Sequence, residues 1–341
     1  MHIEDFSYEL PESKIATHPP KIRGNSKLLV LNKQTGIIEH EKYNNFVNYV
    51  KPGDVVILND TRVIKARLTA YLGDKKREFL LLERHSQNLD THHWKIMYKG
   101  KIKAGETYSI GHNNIKVEEL YENGLAKISS KSNLLKISDQ FGDIPLPPYI
   151  KRLTTNNDII RYQTEFARSE GSVAAPTASL NFTLNLKEKL IKQHIIVVYI
   201  TLHVGLGTFL PIRTKSLEKH VMHSEYFEIP ASTQHAIQQA KINGNKILAV
   251  GTTVTRALEY AHKDIFQMSA KNISGEANIF IYPGYKFKVI DMLLTNFHAP
   301  KSTVLMMASA FAGWNNLEKA YNTALNKDYK FLSYGDSMLI I

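Results

Sequence analysis

The sequence predicts an α/β domain interrupted by an inserted antiparallel β-barrel. Two observations carry this. In the second half of the chain, apolar strand-like runs alternate with helical patterns across short links, as in a layered α/β structure. Between residues 64 and 140, strand-like runs follow one another at close spacing with no helical pattern between them, which suits a small closed antiparallel sheet. With 341 residues, the chain is long enough for two domains or for one domain with a sizeable insertion. The expected division is a discontinuous α/β domain at 1–64 and 150–341, with the barrel at 65–149.

The elements follow in order. Lys27–Leu31 (KLLVL) reads as a strand after a stretch punctuated by Pro11, Pro19 and Pro20. The turn KPGD at Lys51–Asp54 leads into an apolar strand, Val55–Asn59, with Asp60, Thr61 and Arg62 directly at its end. The barrel candidates are Ala66–Gly73, Glu78–Arg84, His92–Gly100, Glu106–Gly111 and Ile115–Ser129, the last divided by a hairpin signal at Asn123-Gly124. Phe141–Arg152 (FGDIPLPPYIKR) is too rich in proline for a sheet interior and reads as a rigid connection. Helices are expected at Leu184–His194, at Ser232–Ile242 with Ser232 as cap and Asn243-Gly244 as stop, at Thr253–His262 and at Val304–Phe311. Strands are expected at Ile195–Leu202 and Lys246–Val250. The apolar C-terminal segment is expected to dock in the core.

Composition narrows the chemistry. The absence of cysteine excludes disulfides, iron–sulfur clusters, thiolate zinc and cysteine nucleophiles. A net charge of +11 favours an anionic partner such as nucleic acid. The start, MHIEDFSYELPES, has acids and polar residues where a signal peptide would be apolar, and the longest strongly apolar stretch, near Ile195–Ile200, is far short of a bilayer span. A cytoplasmic protein without a membrane association is expected.

Four sparsely charged segments mix Gly, Thr or Ser with a His, Asn or Arg: Gly171–Thr183, Thr201–Phe209, Ala249–Glu259 and Thr295–Thr303. Such segments suit strand ends that converge on a pocket. In AVGTTVTRALE, Gly251 permits a tight exit from a strand, Thr252 or Thr253 would cap the next helix, and Arg256 lies one turn in, within reach of an anion or of solvent. In TLHVGLGTF, His203 follows a strand beside Gly205 and Gly207, with neither P-loop nor dinucleotide spacing. His220, His223 and Glu225 match no metal-binding spacing; His223 suits substrate orientation with Glu225 as partner, or a polar strand edge. His298 precedes Pro300 and a helix start at Ser302 or Thr303, which places it in a loop near an anion-favouring helix terminus. Ser172 and Thr177 offer small hydroxyls among alanines, and Arg161 and Tyr162 just upstream suit RNA, substrate or packing. No metal site is expected.

These segments, together with DFSYELPESKIA (Asp5–Ala16), GDVVILNDTRVIKARL (Gly53–Leu68), IPLPPYIKR, RYQTEFA, HVMHSEYFEIP and YKFLSYGDSMLI, resemble the S-adenosylmethionine:tRNA ribosyltransferase-isomerase family of queuosine biosynthesis almost from end to end. The resemblance implies an α/β domain interrupted by a β-barrel. It also implies transfer and isomerisation of the ribosyl part of S-adenosylmethionine onto 7-aminomethyl-7-deazaguanine at the wobble position of the tRNAs for Asp, Asn, His and Tyr. Epoxyqueuosine would form, and adenine and methionine would leave. S-adenosylmethionine would be a consumed co-substrate, with no resident cofactor. His203, His223 and His298 become candidates for proton transfer or positioning. Asp60 and Arg62 become candidates for binding the base or tRNA, with Arg161, Tyr162, Ser172, Thr177, Asn181, Thr252, Thr253 and Arg256 as further substrate-binding candidates. The expected assembly is a monomer or weak dimer. The chain departs from the family at Asn181, where histidine is usual, and at Ala299, where leucine is usual. Asparagine cannot serve as a general base near neutral pH, and this feature supports the alternative of a tRNA-binding homologue without chemistry.

Overall fold

The computed structural model describes residues 1–82, 90–205, 207, 212, 214–267 and 270–341. Seventeen strands form among the described residues, nine of them in one mixed central sheet. The strands are β1 (Lys27–Leu31), β2 (Ile38–Lys42), β3 (Val55–Asn59), β4 (Thr61–Val63), β5 (Arg67–Leu72), β6 (Lys75–Leu81), β7 (His93–Lys99), β8 (Thr107–Ile110), β9 (Asn113–Tyr121), β10 (Leu125–Ser130), β11 (Ser169–Ser172), β12 (Ile196–Leu202), β13 (Glu225–Ile229), β14 (Ile247–Val250), β15 (Ile273–Ala277), β16 (Met292–Asn296) and β17 (Ser337–Ile340). The helices are α1 (Leu134–Phe141), α2 (Asn156–Arg161), α3 (Leu184–Lys192), α4 (Ala231–Ile242), α5 (Thr252–Tyr260), α6 (His262–Ile265), α7 (Thr303–Ala312) and α8 (Trp314–Asn326).

The central order is β15-β13-β12-β3-β14-β16-β17-β1-β2. Strands β12, β3, β14 and β16 run parallel, and so do β17 and β1. The remaining pairs are antiparallel. Both faces of the middle strands are buried, which is why they read as continuous apolar runs rather than alternating ones. Val55 and Ile57 join the cluster that also contains Val254 and Leu258 of α5 and Leu305 of α7. Val56 and Leu58 point the other way, into a cluster with Phe182 and with Leu186 and Leu190 of α3. The apolar C-terminal segment supplies β17, inside the sheet.

The second unit is a closed barrel of antiparallel strands in the order β10-β7-β6-β5-β8-β9. Alternate residues face inward, among them Leu68 and Ala70 of β5, Ile115 and Val117 of β9, and Ala126 and Ile128 of β10. Leu134 and Ile137 of α1 pack against the same core. Arg67 and Asp143 exchange backbone hydrogen bonds of 3.1 and 2.9 Å, so the chain entering the barrel is tied to the chain leaving it. The expected turn at Asn123-Gly124 forms, with both residues at positive φ (60° and 73°).

Several local expectations are corrected. The strand expected at Glu78–Arg84 is Lys75–Leu81; Arg84 lies outside the described residues, as do Leu206, Thr208 and Phe209 of the segment after His203. Helix α4 starts at Ala231 with Pro230 in the capping position, so Ser232 sits inside the first turn. Helix α5 is preceded by Gly251 at φ 103°, and neither Thr252 nor Thr253 caps it, because the glycine already turns the chain out of the strand. Ser302 does cap α7, its hydroxyl accepting from the Leu305 amide at 3.2 Å. Among the described residues, no helix is long and apolar enough to cross a membrane.

Candidate active site

The C-terminal ends of the parallel strands set out the site, where backbone groups are released from the ladder and the helices begin. Beyond β14 lie Gly251, Thr252 and Thr253; beyond β16 lies His298; beyond β12 lies Val204. A cleft with about 740 Å³ of empty space opens there. Thr177, Thr252, Thr253 and His298 line it together, although up to 121 residues separate them in sequence. Ala175, Pro176 and Ala178 of the uncharged 171–183 segment also line it.

His298 is tied to the fold through both its backbone and its ring. Its amide donates to none of the sheet strands but to the Tyr321 hydroxyl at 2.9 Å, and its carbonyl accepts from the Tyr8 hydroxyl. The ring Nε2 lies 2.9 Å from Thr295 Oγ1. Burial pushes its pKa from 6.5 down to about 3, so the ring is neutral near pH 7. Thr177 donates to Asn296 Oδ1 at 2.8 Å. Thr253 Oγ1 accepts from Asn59 Nδ2 at 3.2 Å, which ties α5 to the end of β3.

Beside the cleft stands a buried polar cluster. Arg256 Nη1 lies 2.5 Å from Glu225 Oε2 and 3.3 Å from His223 Nε2. Its Nη2 donates to the carbonyls of His223 and Ala277. Glu225 Oε1 accepts from the Gly205 amide at 2.8 Å. Burial alone would raise the Glu225 pKa; Arg256, His223 and the Gly205 amide together hold it down to about 2. Arg256 is thus already neutralised and is not an open receptor for an anion.

The other sequence candidates are placed elsewhere. His203 is buried, with Nδ1 2.8 Å from Thr61 Oγ1 and its ring stacked on Tyr226 at 5.6 Å. Ser172 is buried too; its hydroxyl donates to Ala174 O at 2.7 Å and accepts from the Val204 amide at 2.8 Å. Asp60 accepts from Arg168 Nη2 at 2.8 Å and from Thr201 Oγ1 at 2.7 Å. Arg62 is exposed, 3.6 Å from Glu170. Arg161 donates to the Pro20 carbonyl at 2.8 Å, pinning the N-terminal segment. Tyr162 is fully buried, edge-on to Tyr334 at 5.8 Å between ring centroids. Asn181 is 4% exposed, is not among the residues lining the cleft, and accepts from the Gly24 amide at 3.4 Å.

The Queuosine biosynthesis protein family model matches residues 3–340. The chain belongs to the S-adenosylmethionine:tRNA ribosyltransferase-isomerase family. It is 50% identical to the family member of Chlorobium chlorochromatii and 44% identical to that of Halothermothrix orenii, in each case over the whole of both chains. It is also similar to the crystal structure of the S-adenosylmethionine tRNA ribosyltransferase of Thermotoga maritima, with 31% identity, a TM-score of 0.57, and coverage of 99% of this chain and 100% of that one.

For a member of this family, the cleft also presents groups that the sequence reading did not single out. Tyr149 and Ser333 line it, 2.5 Å apart through their hydroxyl oxygens. Burial pushes the Tyr149 pKa up to about 12. Asn296, at the end of β16, lines it as well. Asn296 lies within the Thr295–Thr303 segment, whose sequence points to His298 and not to it, and Tyr149 and Ser333 reach the cleft only through tertiary folding. Among the described residues, no group of three or more His, Cys, Asp or Glu is placed to hold a metal ion.

Proposed function

We propose that this chain transfers the ribosyl group of S-adenosylmethionine to 7-aminomethyl-7-deazaguanine at the tRNA wobble position and isomerises it, forming epoxyqueuosine and releasing adenine and methionine. The observation that supports this most is the convergence of Thr177, Thr252, Thr253 and His298 on one cleft at the carboxyl ends of the parallel strands, in a chain of this family. The reaction asks for close positioning and proton transfers. A base removes a proton from the carbon next to the sulfonium, and the aminomethyl nitrogen of the modified base, the nucleophile, forms the new carbon–nitrogen bond to the sugar and gives up a proton. Adenine then departs with a proton, and methionine leaves as the sugar rearranges. A neutral His298 suits hydrogen bonding and positioning in this sequence rather than carrying a positive charge. The hydroxyl-rich walls suit a ribose.

The polynucleotide partner is tRNA, drawn to a chain of net charge +11; the tRNAs for Asp, Asn, His and Tyr are the proposed substrates. The proposed setting is the cytoplasm, and the proposed assembly a monomer or weak dimer. The test is adenine release from S-adenosylmethionine in the presence of tRNA carrying 7-aminomethyl-7-deazaguanine, with nucleoside mass spectrometry of the tRNA. Adenine together with epoxyqueuosine is the expected result. Folded protein that binds the tRNA but yields neither product would overturn the proposal.

A further inference from the structure

At one wall of the cleft, two segments far apart in sequence are joined by neighbouring hydroxyl contacts. One segment is the connection that follows α1 and runs into α2; the other is the turn at 330–336, ahead of β17. In the first contact the Tyr149 and Ser333 hydroxyl oxygens lie 2.5 Å apart, and both residues line the cleft. In the second the Tyr334 hydroxyl donates to Asp158 Oδ1 at 2.8 Å. Ser333 and Tyr334 are adjacent in the chain, so the contacts share one stretch of backbone.

The second contact has a rigid anchor. Asp158 is 1% exposed, and Arg152 reaches both its oxygens, with Nη1 2.6 Å from Oδ2 and Nη2 2.7 Å from Oδ1. The amide and hydroxyl of Thr155 donate to Oδ2 at 2.8 and 2.7 Å. A buried carboxylate gripped by a bidentate guanidinium and by further donors has little freedom to move. It gives Tyr334 a fixed partner.

The turn itself is held in an unfavourable conformation. Leu332 lies at φ 69°, in the left-handed region that residues other than glycine seldom take. Of the described non-glycine residues at positive φ, it alone lines the cleft. Such a conformation persists only where the surroundings over-determine it, and it gathers at functional sites. Here the Leu332 amide donates to the carbonyl of Phe297, the residue before His298, at 2.9 Å. Asp336 accepts from the Lys330 and Lys27 amides at 2.7 Å each. These bonds leave the turn one position, the one that sets Leu332 and Ser333 into the cleft wall.

We propose that Tyr334 and Asp158 are positioning residues for the reaction, fixing the turn and, through it, the Tyr149–Ser333 pair at the cleft. This rests on the reaction proposed above. Neither Tyr334 nor Asp158 lines the cleft, so their effect passes through Ser333. A misplacement of about 1 Å in such a wall can cost on the order of a hundredfold in rate.

The test is Tyr334→Phe, which keeps the ring edge-on to Tyr162 and removes the bond to Asp158. Adenine release from S-adenosylmethionine, with tRNA carrying 7-aminomethyl-7-deazaguanine, is measured for this variant, for Tyr149→Phe and for the double variant. The temperature is one at which circular dichroism shows each to be folded. In Tyr334→Phe, kcat should fall by about tenfold or more while KM stays within about threefold. The double variant should be no more than about threefold slower than the slower single variant, because both changes act through one pair. An unchanged kcat with a lowered thermal midpoint would mark a structural contact alone and overturn the inference, as would effects that multiply in the double variant. Should Tyr334→Phe fail to fold, the exposed Thr155 decides: Thr155→Val should lower kcat by about threefold and Thr155→Ser restore it, and equal rates overturn the inference. Wild type that releases no adenine overturns the proposed reaction and this inference with it. An active wild type matched by an equally active Tyr334→Phe overturns the inference alone.

Discussion

Acid should destabilise this protein through His298. Burial lowers the pKa of its imidazole from 6.5 to about 3. Between those values the unfolded chain takes up a proton that the native state refuses. The stability present above about pH 6.5 is therefore lost as the pH falls toward 3. At about 1.4 kcal/mol per pH unit, the loss from this one group reaches about 2 kcal/mol at pH 5. The ring borders the cleft and is partly exposed, so solvent makes that figure a ceiling. Urea unfolding at about pH 8 and about pH 5 measures it, comparing the wild type with His298→Gln. The glutamine amide can replace the Nε2 contact to Thr295 and does not titrate. All other histidines are common to both proteins and cancel in the comparison. The wild type should lose about 1–2 kcal/mol more than the variant between the two pH values. Parallel losses, within about 0.5 kcal/mol, would refute the reasoning and show that the ring is solvated in the native state.

Three further predictions follow from particular contacts. Glu225→Ala leaves Arg256 buried without its counter-charge and should cost about 3–5 kcal/mol in urea unfolding, whereas Glu225→Leu combined with Arg256→Met should cost less than Glu225→Ala alone. Gly171→Ala places a Cβ 2.7 Å from His203 Nε2 at a φ of 148°; it should lower stability by about 1–3 kcal/mol, read as a fall in thermal midpoint, through overpacking against the imidazole and backbone strain. Asn181→His introduces the imidazole that the family resemblance implies, at a position that does not line the cleft; kcat for adenine release should stay within about threefold of wild type, roughly 0.7 kcal/mol in barrier. A change of about a hundredfold would put position 181 in the chemistry.

The parts of the fold that were legible are those in which local pattern and tertiary role agree. The Val55–Asn59 strand is apolar at nearly every position because both sheet faces are covered. The barrel announced itself through close turns, with Asn123-Gly124 at positive φ. Helix starts were less legible. Thr252 and Ser232 have capping side chains, yet Gly251 and Pro230 occupy the capping positions, because the exit angle from the preceding strand decides where the first turn begins. Helix α8 and the strand β15 carry no such local signal, since their burial comes from neighbours that the local sequence does not name.

The site divides in the same way. Thr177, Thr252, Thr253 and His298 belonged to segments recognisable as strand ends, and strand ends of parallel sheets meet. Tyr149 comes from the proline-rich connection and Ser333 from the turn before β17, so only the folded chain brings their hydroxyls to 2.5 Å. The charged candidates show the deeper limit. Asp60, Arg161 and Arg256 look alike in sequence: polar groups next to apolar runs, suited to a ligand. Their partners decide otherwise. Asp60 is taken by Arg168 and Thr201, Arg161 by the Pro20 carbonyl, and Arg256 by Glu225, 31 residues upstream. A sequence shows that a charge is present; whether that charge is still available to a ligand depends on a pairing made across the fold. In Arg256 the pairing is complete at both terminal nitrogens, which are committed to Glu225, His223 and Ala277.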